Sequence, residues 1–395
     1  MKKIKLNDIV KVNQSGEWGT GLKEGEIGTK VIRTADFNND GSINYDNVIF
    51  RNIQQKKIDE KKLIYGDIII EKSGGTDKNP VGRVAFFNDD NNIYLSNNFT
   101  QVIRIKESMN SKFVFYNLYF NYKNGSTLQM FNKTTGIQNL QMKQFLNQKI
   151  SYISLEEQEI AVRKLDNVRN IIEIKQKQLQ DLDELIKSQF VGMFKNKNYE
   201  KKRIGDFGKF QGGYAFKSKD FIENGIKLVQ ISNVNKDNLD WNEINRLPEE
   251  YIEKYKDYVL NVGDVVMAMT RPIIKSLNEV KIAYVSENDV PCLLNQRVGR
   301  FLIDENKISK FYLTYCCKME DFKNYVEKMS GNSLQPNISS KQVEDFTIEI
   351  PPIELQNQFA DMVKQIDKQK FEIQKSLEEM KKLQESLMNK YFGEY

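Results

Sequence analysis

The chain of 395 residues contains no histidine at all. That absence removes the commonest general base, the commonest metal ligand and every Ser-His or Cys-His nucleophile arrangement. Cysteine is nearly absent too: Cys292, Cys316 and Cys317 are an odd number in a long chain, with no C-x-x-C spacing, so neither a disulfide framework nor a structural zinc site is indicated. No apolar run approaches the ~18 residues that cross a bilayer, and the opening "MKKIKLNDIV" lacks a signal-peptide core. A soluble, cytoplasmic protein without membrane contact is expected. Phosphate-cradle chemistry is also missing: there is no G-x-x-x-x-G-K-[ST] loop, and the glycines of "RIGDFGKFQGG" are spaced for turns. The nearest approaches to the [ND]-P-P-[YF] pattern of amino-methyltransferases, "KNPVG" and "LQPNIS", do not match it. Catalysis by this chain, and a cofactor or metal of its own, are therefore not expected.

What is present is repetition. The phrase "LEEQEIAVRKLD" from Leu155 returns as "LQNQFADMVKQID" from Leu355. At an offset of about 197 to 200, "YGDIIIEKSGG" (Tyr65) faces "VGDVVMAMTRP" (Val262), and "LSNNFTQVIRI" (Leu95) faces "LLNQRVGRFLI" (Leu293). "IQNLQMKQFLNQKISYI" (Ile137) likewise faces "QPNISSKQVEDFTIEI" (Gln335). Preserved order through four blocks marks an internal duplication. The length and the 39% hydrophobic fraction suit two cores, while 29% charged residues and a mean hydropathy of −0.59 point to long exposed helices.

Each repeat divides into a globular and a helical part. In the globular parts, β-branched and aromatic runs ("GDIII", "KLVQIS", "GDVVMAM") alternate with Gly/Asn/Asp turns, and a helical patch follows the third strand block. In the helical parts, Leu165, Ile172, Leu179, Ile186 and Met193 recur every seven residues with Val168 and Leu182 between them. Phe359, Ile366, Ile373, Met380 and Leu387 do the same, with Met362 and Leu383 between. Such seams need a partner helix. Either the two helices, each about 40 residues and roughly 60 Å long, pair antiparallel within one chain, or the seams make a homodimer. The expected class is α+β: mixed α/β domains at 1–152 and 197–350, separated by long antiparallel coiled-coil helices at 153–196 and 351–395, related by a pseudo-twofold repeat.

The order of variable domain, helix, variable domain, helix, with "ISLEEQEIAVRKLD" and "IPPIELQNQFADMVKQID" as helix openings, resembles the specificity subunit of type I restriction-modification systems. "GKFQGGYAFKSKDFIENGIKLVQISNV" and "LPEEYIEKYKDYVLNVGDVVMAMT" carry the same resemblance. In the first variable domain "SGEWGTGLKEGEIGTKVIRTADF" stands in place of the "GYAFKSKDF" type, so the base sequence it reads is open. The resemblance implies two target recognition domains reading a bipartite, asymmetric site on double-stranded DNA. It also implies helices that dock two adenine methyltransferase subunits, which would hold the S-adenosylmethionine, and an assembly that recruits motor-nuclease restriction subunits. The different class of reading is a coiled-coil scaffold binding other proteins; weaker still is a nuclease or methyltransferase with an unrecognised active site.

Loops that combine cations with amides and hydroxyls suit phosphate positioning and base reading. The leading pair occupies the same place in both repeats: Lys72, Ser73, Lys78 and Arg83 in one, Thr270, Arg271, Lys275 and Ser276 in the other. Further candidates are Gln211, Tyr214, Lys217 and Ser218; Asn295, Gln296 and Arg297, matched by Asn97 to Gln101; and Lys133, Thr134 and Gln138 matched by Asn332, Ser333 and Gln335. Leu165, Ile172, Leu179, Ile186, Ile366, Ile373, Met380 and Leu387 are expected to pack the helix spacer. The aromatic ends "SQFVGMF" and "MNKYFGEY", with the outer helix faces, are expected to dock the methyltransferase.

Overall fold

The computed structural model describes residues 2–134, 136–195, 197–331 and 335–393. Contacts divide the chain into two compact units: residues 1–178 with 373–395, and residues 179–372. Both long helices are therefore shared between units.

The two units have one topology. In the first, a four-stranded antiparallel sheet runs in the order Val10–Ser15, Thr100–Ile105, Ile68–Glu71, Val84–Phe86. In the second the order is Gly208–Gly212, Val298–Ile303, Val265–Ala268, Ile282–Tyr284. A second sheet in each contains a parallel pair: Thr29–Ile32 beside Tyr94–Ser96, and Ile226–Val229 beside Cys292–Leu294. The "GDIII" and "GDVVMA" runs are fully buried central strands, which is why they are continuously apolar instead of alternating. Their turns require Gly66 and Gly263, both with positive φ.

The long helices span Leu155–Phe194 and Ile353–Phe392. The first opens on a capping box: the Glu157 amide donates to Ser154 Oγ while Glu157 Oε2 accepts from the Ser154 amide at 3.0 Å. In the first unit its start (Ala161, Val162, Leu165) shares a core with the end of the second helix (Met388, Tyr391, Phe392). In the second unit its end (Ile186, Phe190, Phe194) shares a core with the start of the second helix (Phe359, Val363, Ile366). Start meets end in both, so within each unit the two helices of this one chain pair antiparallel.

Two expectations need correction. In the second helix the positions between Phe359, Ile366, Ile373, Met380 and Leu387 lie four residues on, at Val363, Lys370, Leu377, Gln384 and Tyr391, all at least partly covered; Leu383 faces outward and is exposed. The aromatic side chains at the helix ends, expected to face a partner, turn inward among the described residues; Tyr395 lies outside them. Phe190, Phe194, Tyr391 and Phe392 are buried: Phe392 lies 5.1 Å from Phe113, and Phe194 4.8 Å from Tyr312, ring centre to ring centre. They anchor each helix end in a domain core, because such area left in water would be costly.

The repeated opening phrase has a physical cause. Gln158 and Gln356 are buried. Each accepts from the backbone amide at the N-cap of the domain helix, Asn110 or Ser309, at 2.9 Å, and donates to the carbonyl of Ile153 or Pro351 at 2.8 Å. One amide side chain thus locks helix to domain twice over.

Candidate nucleic-acid interface

Strand register equates positions in the two units. Ile70 pairs with Val84 as Met267 pairs with Ile282; the Glu71 amide donates to Arg83 O as the Ala268 amide donates to Lys281 O. Lys72 N donates to Phe99 O as Met269 N donates to Arg297 O. Ser73 pairs with Asn139 as Thr270 bridges to Asn337. Arg271, Lys281 and Arg297 therefore stand where the first unit has Gly74, Arg83 and Phe99.

In the second unit these positions converge. They line a cleft of about 520 Å³ together with Gln230, Ile231, Ser232, Thr270, Asn295 and Gln335. Arg271 and Arg297 are exposed. Thr270 is buried and donates to Asn337 Oδ1 at 2.7 Å while accepting from Arg297 Nη1 at 3.3 Å, which orients that guanidinium. No described carboxylate pairs with Arg271, Lys281 or Arg297. Burial, and then the charge of Arg271, hold the Lys281 ammonium below its ordinary value; a nearby anion would favour its charged form. Cation, amide and hydroxyl groups converging without an acid are suited to phosphates and base edges.

Beside this cleft, Gly213 lets the chain pass so close to Asn295 that a Cβ would lie 2.2 Å from the Asn295 carbonyl oxygen. Tyr214, next in the chain, is partly exposed and packs its ring at a tilt against Phe216, Tyr255 and Tyr258. Lys217, Ser218, Lys275 and Gln296 are exposed. Gln211 is committed inward: its Nε2 donates to Asp257 O at 3.0 Å and its Oε1 accepts from Arg300.

The first unit is differently charged at the same places. Arg83 donates to Glu71 Oε2 at 2.7 Å and to Thr34 O at 2.9 Å, and lies over the Phe37 ring. It is an internal strut, not a free reading group. Lys133 pairs with Asp77. Lys61 pairs with Glu17, whose carboxyl this hydrogen bond lowers below its ordinary value. Ser73 Oγ donates to Asn139, and Gln138 is buried, accepting from the Val81 amide. Lys72 donates to Ser15 Oγ at 2.5 Å and is lowered by burial and by Lys61; Lys78 is exposed. Asn97 is buried, and Gly16 lies as close to it as Gly213 does to Asn295. Thr134 closes the strand Phe131–Thr134; Asn332 and Ser333 lie outside the described residues.

Sequence reasoning missed Lys281, Gln230 and Ser232, which sit at the ends of the apolar runs "KIAYVS" and "KLVQIS" and carry no loop signature. The alternation of strand register could have exposed Lys281, since it faces the same way as Arg83 in the repeat.

Among the described residues no cluster of acids and cysteines could hold a metal ion, and no helix is long and apolar enough to cross a membrane. The three thiols are buried, and burial pushes Cys292 and Cys316 up to about 12.

The chain resembles the type I restriction enzyme MjaVIII specificity subunit of Methanocaldococcus jannaschii, 32% identical over 312 residues, which cover 75% of this chain and 72% of that one. It also resembles the EcoAI specificity subunit of Escherichia coli, 34% identical over 142 residues, 36% of this chain and 24% of that one. In fold it is similar to the crystal structure of the S subunit of a type I restriction-modification system from M. genitalium, with TM-score 0.61 at 15% identity over 100% of this chain and 96% of that one. A chain from a structure concerned with complex assembly of the type I system gives TM-score 0.54 at 16% identity, over 99% of this chain and 97% of that one. Residues 1–184 and 196–382 each match the family described as type I restriction modification DNA specificity domain. The duplicated fold, the acid-free cationic cleft and these matches lead to one conclusion: this chain belongs to the DNA specificity subunits of type I restriction-modification systems, the non-catalytic component of those enzymes.

Proposed function

We propose that residues 1–152 and 197–350 are target recognition domains that each read one half of a bipartite, asymmetric DNA site, the helices 153–196 and 351–395 setting the gap. The observation that carries this reading is the pair of domains with one topology but unlike side chains at equivalent loop positions: Gly74, Arg83 and Phe99 against Arg271, Lys281 and Arg297. One scaffold presents two different chemical faces, as two different half-sites require. Two adenine methyltransferase subunits, which carry the S-adenosylmethionine, dock on the helices, and restriction subunits join that assembly.

Docking would use exposed apolar positions on the long helices: Ile174 is 58% exposed on the first, and Phe371 and Leu383 are 67% and 42% exposed on the second. Ile174→Glu and Phe371→Glu should lose co-purification with the methyltransferase while keeping the thermal unfolding profile; retained co-purification by both would place docking elsewhere. The function itself is tested by expressing the chain with its methyltransferase and mapping methylated adenines. Exchange of residues 1–152 for another recognition domain should alter one half of the motif only. A chain that binds the methyltransferase but directs no sequence-specific methylation would instead be a scaffold.

A further inference from the structure

Arg271 has φ of 49°, a left-handed backbone conformation that non-glycine residues rarely adopt. Its counterpart in the first unit is Gly74, with φ of 108°. The turn geometry therefore suits glycine, and arginine is held there against a local strain. Such strain persists where the surroundings over-determine it and where the side chain has work to do. The surroundings are visible: the Arg271 amide donates to Pro336 O at 2.8 Å, and the preceding Thr270 forms an isolated bridge with Asn337. The guanidinium, by contrast, is exposed at the cleft with no described carboxylate to hold it.

The first unit shows what an arginine with a purely structural duty looks like. Arg83 is mostly buried, bonded to Glu71 and Thr34 and stacked on Phe37. The second unit has Ala268 where the first has Glu71, so Lys281, standing in the place of Arg83, keeps its charge available to the cleft.

Resting on the reading that residues 197–350 recognise DNA, we propose that Arg271 is a specificity-determining residue that reads a guanine in that domain's half-site, with Lys281 and Arg297 positioning the adjacent phosphates, while the equivalent positions of the first domain leave guanine unread there. An arginine fork matches the O6 and N7 acceptors of guanine in the major groove, the commonest specific protein contact to a base. Lysine at a phosphate acts as a point charge and carries no base information. The two domains thus differ at one equivalent position: the second carries an arginine whose backbone is held and whose guanidinium is exposed, the first a glycine with no side chain to read a base.

The test is methylation mapping with the intact complex of this chain and its methyltransferase, for wild type, Arg271→Gly, Arg271→Lys and Lys281→Gln. Arg271→Gly installs the residue the repeat uses and removes the φ strain, so a fold defect is not expected. The wild-type motif should hold a guanine in the half that changes when residues 197–350 are exchanged. Arg271→Gly and Arg271→Lys should lose discrimination at that base by roughly ten- to a hundredfold, leaving the other half of the motif as it was. Lys281→Gln should weaken binding to all sequences alike and reduce the slope of log affinity against log salt by about 1. An unchanged motif for Arg271→Gly overturns the assignment while the wild-type motif still upholds DNA recognition. Wild-type chain giving no motif at all would remove both.

Discussion

At the scale of single residues, this chain separates groups that hold the fold from groups that face outward, although both are polar. Gln158 and Gln356 were indistinguishable from solvated amides in the sequence, yet both are buried locks. Gln356→Ala leaves the Ser309 amide and the Pro351 carbonyl without their partner. At about 1–3 kcal/mol for each unsatisfied buried group, the second unit should melt several degrees earlier in calorimetry, and Gln158→Ala should do the same for the first. Gly213→Ala drives a methyl group into the Asn295 carbonyl and should cost about 1–3 kcal/mol, the usual range for overpacking. Because the obstructed residue begins the loop to Arg297, the variant should also weaken DNA binding through the second domain, measurable by titration with a site-containing duplex. Affinity left intact would show that the cleft tolerates displacement of that loop.

At the scale of elements, the long helices are held by charge as well as by their seam. In the second unit, Asp183 of the first helix accepts from Lys370 of the second at 2.6 Å and pairs with Lys236 of the domain at 3.5 Å. Burial opposes ionisation of Asp183, but the bonds and charges of Lys370 and Lys236 outweigh it and hold the carboxyl below its ordinary range. A folded value lower than the unfolded one, about 3.9, contributes stability above that unfolded value; the contribution is lost as pH falls through the lower folded value. Asp183→Asn should therefore lower the melting temperature of the second unit at neutral pH and flatten its loss of stability on acidification. Equal acid limbs for variant and parent would remove Asp183 from the account. The helix pattern itself was readable from heptads. The offset between seam positions in the second helix was not, because Leu383 satisfies a three-residue spacing that the neighbouring surface does not cover, whereas Leu377 satisfies the four-residue one.

At the scale of the whole molecule, each core is built from distant parts of the chain. Leu387, Met388, Tyr391 and Phe392 pack into the first unit, against residues such as Phe113 and Leu165. Removing residues 373–395 should therefore expose the first unit to proteolysis and hydrogen exchange while the second, which holds none of them, keeps its protection; uniform loss would show that the units unfold together. By itself the sequence determined the duplication, the strand-and-turn domains and the pairing helices, because periodicity and repeat order are local properties carried by residue type. It also placed a pair of candidate loops, since both "KSGG" and "MTRP" follow a buried strand. Only the tertiary structure decided which cations are free. Arg83 and Arg271 look alike in the chain, but a carboxylate twelve residues before Arg83 reaches it across a strand pair, while the corresponding place beside Lys281 is an alanine and Arg271 stands on a glycine's backbone. Charge availability depends on what register brings opposite a side chain, and register is a property of the folded sheet.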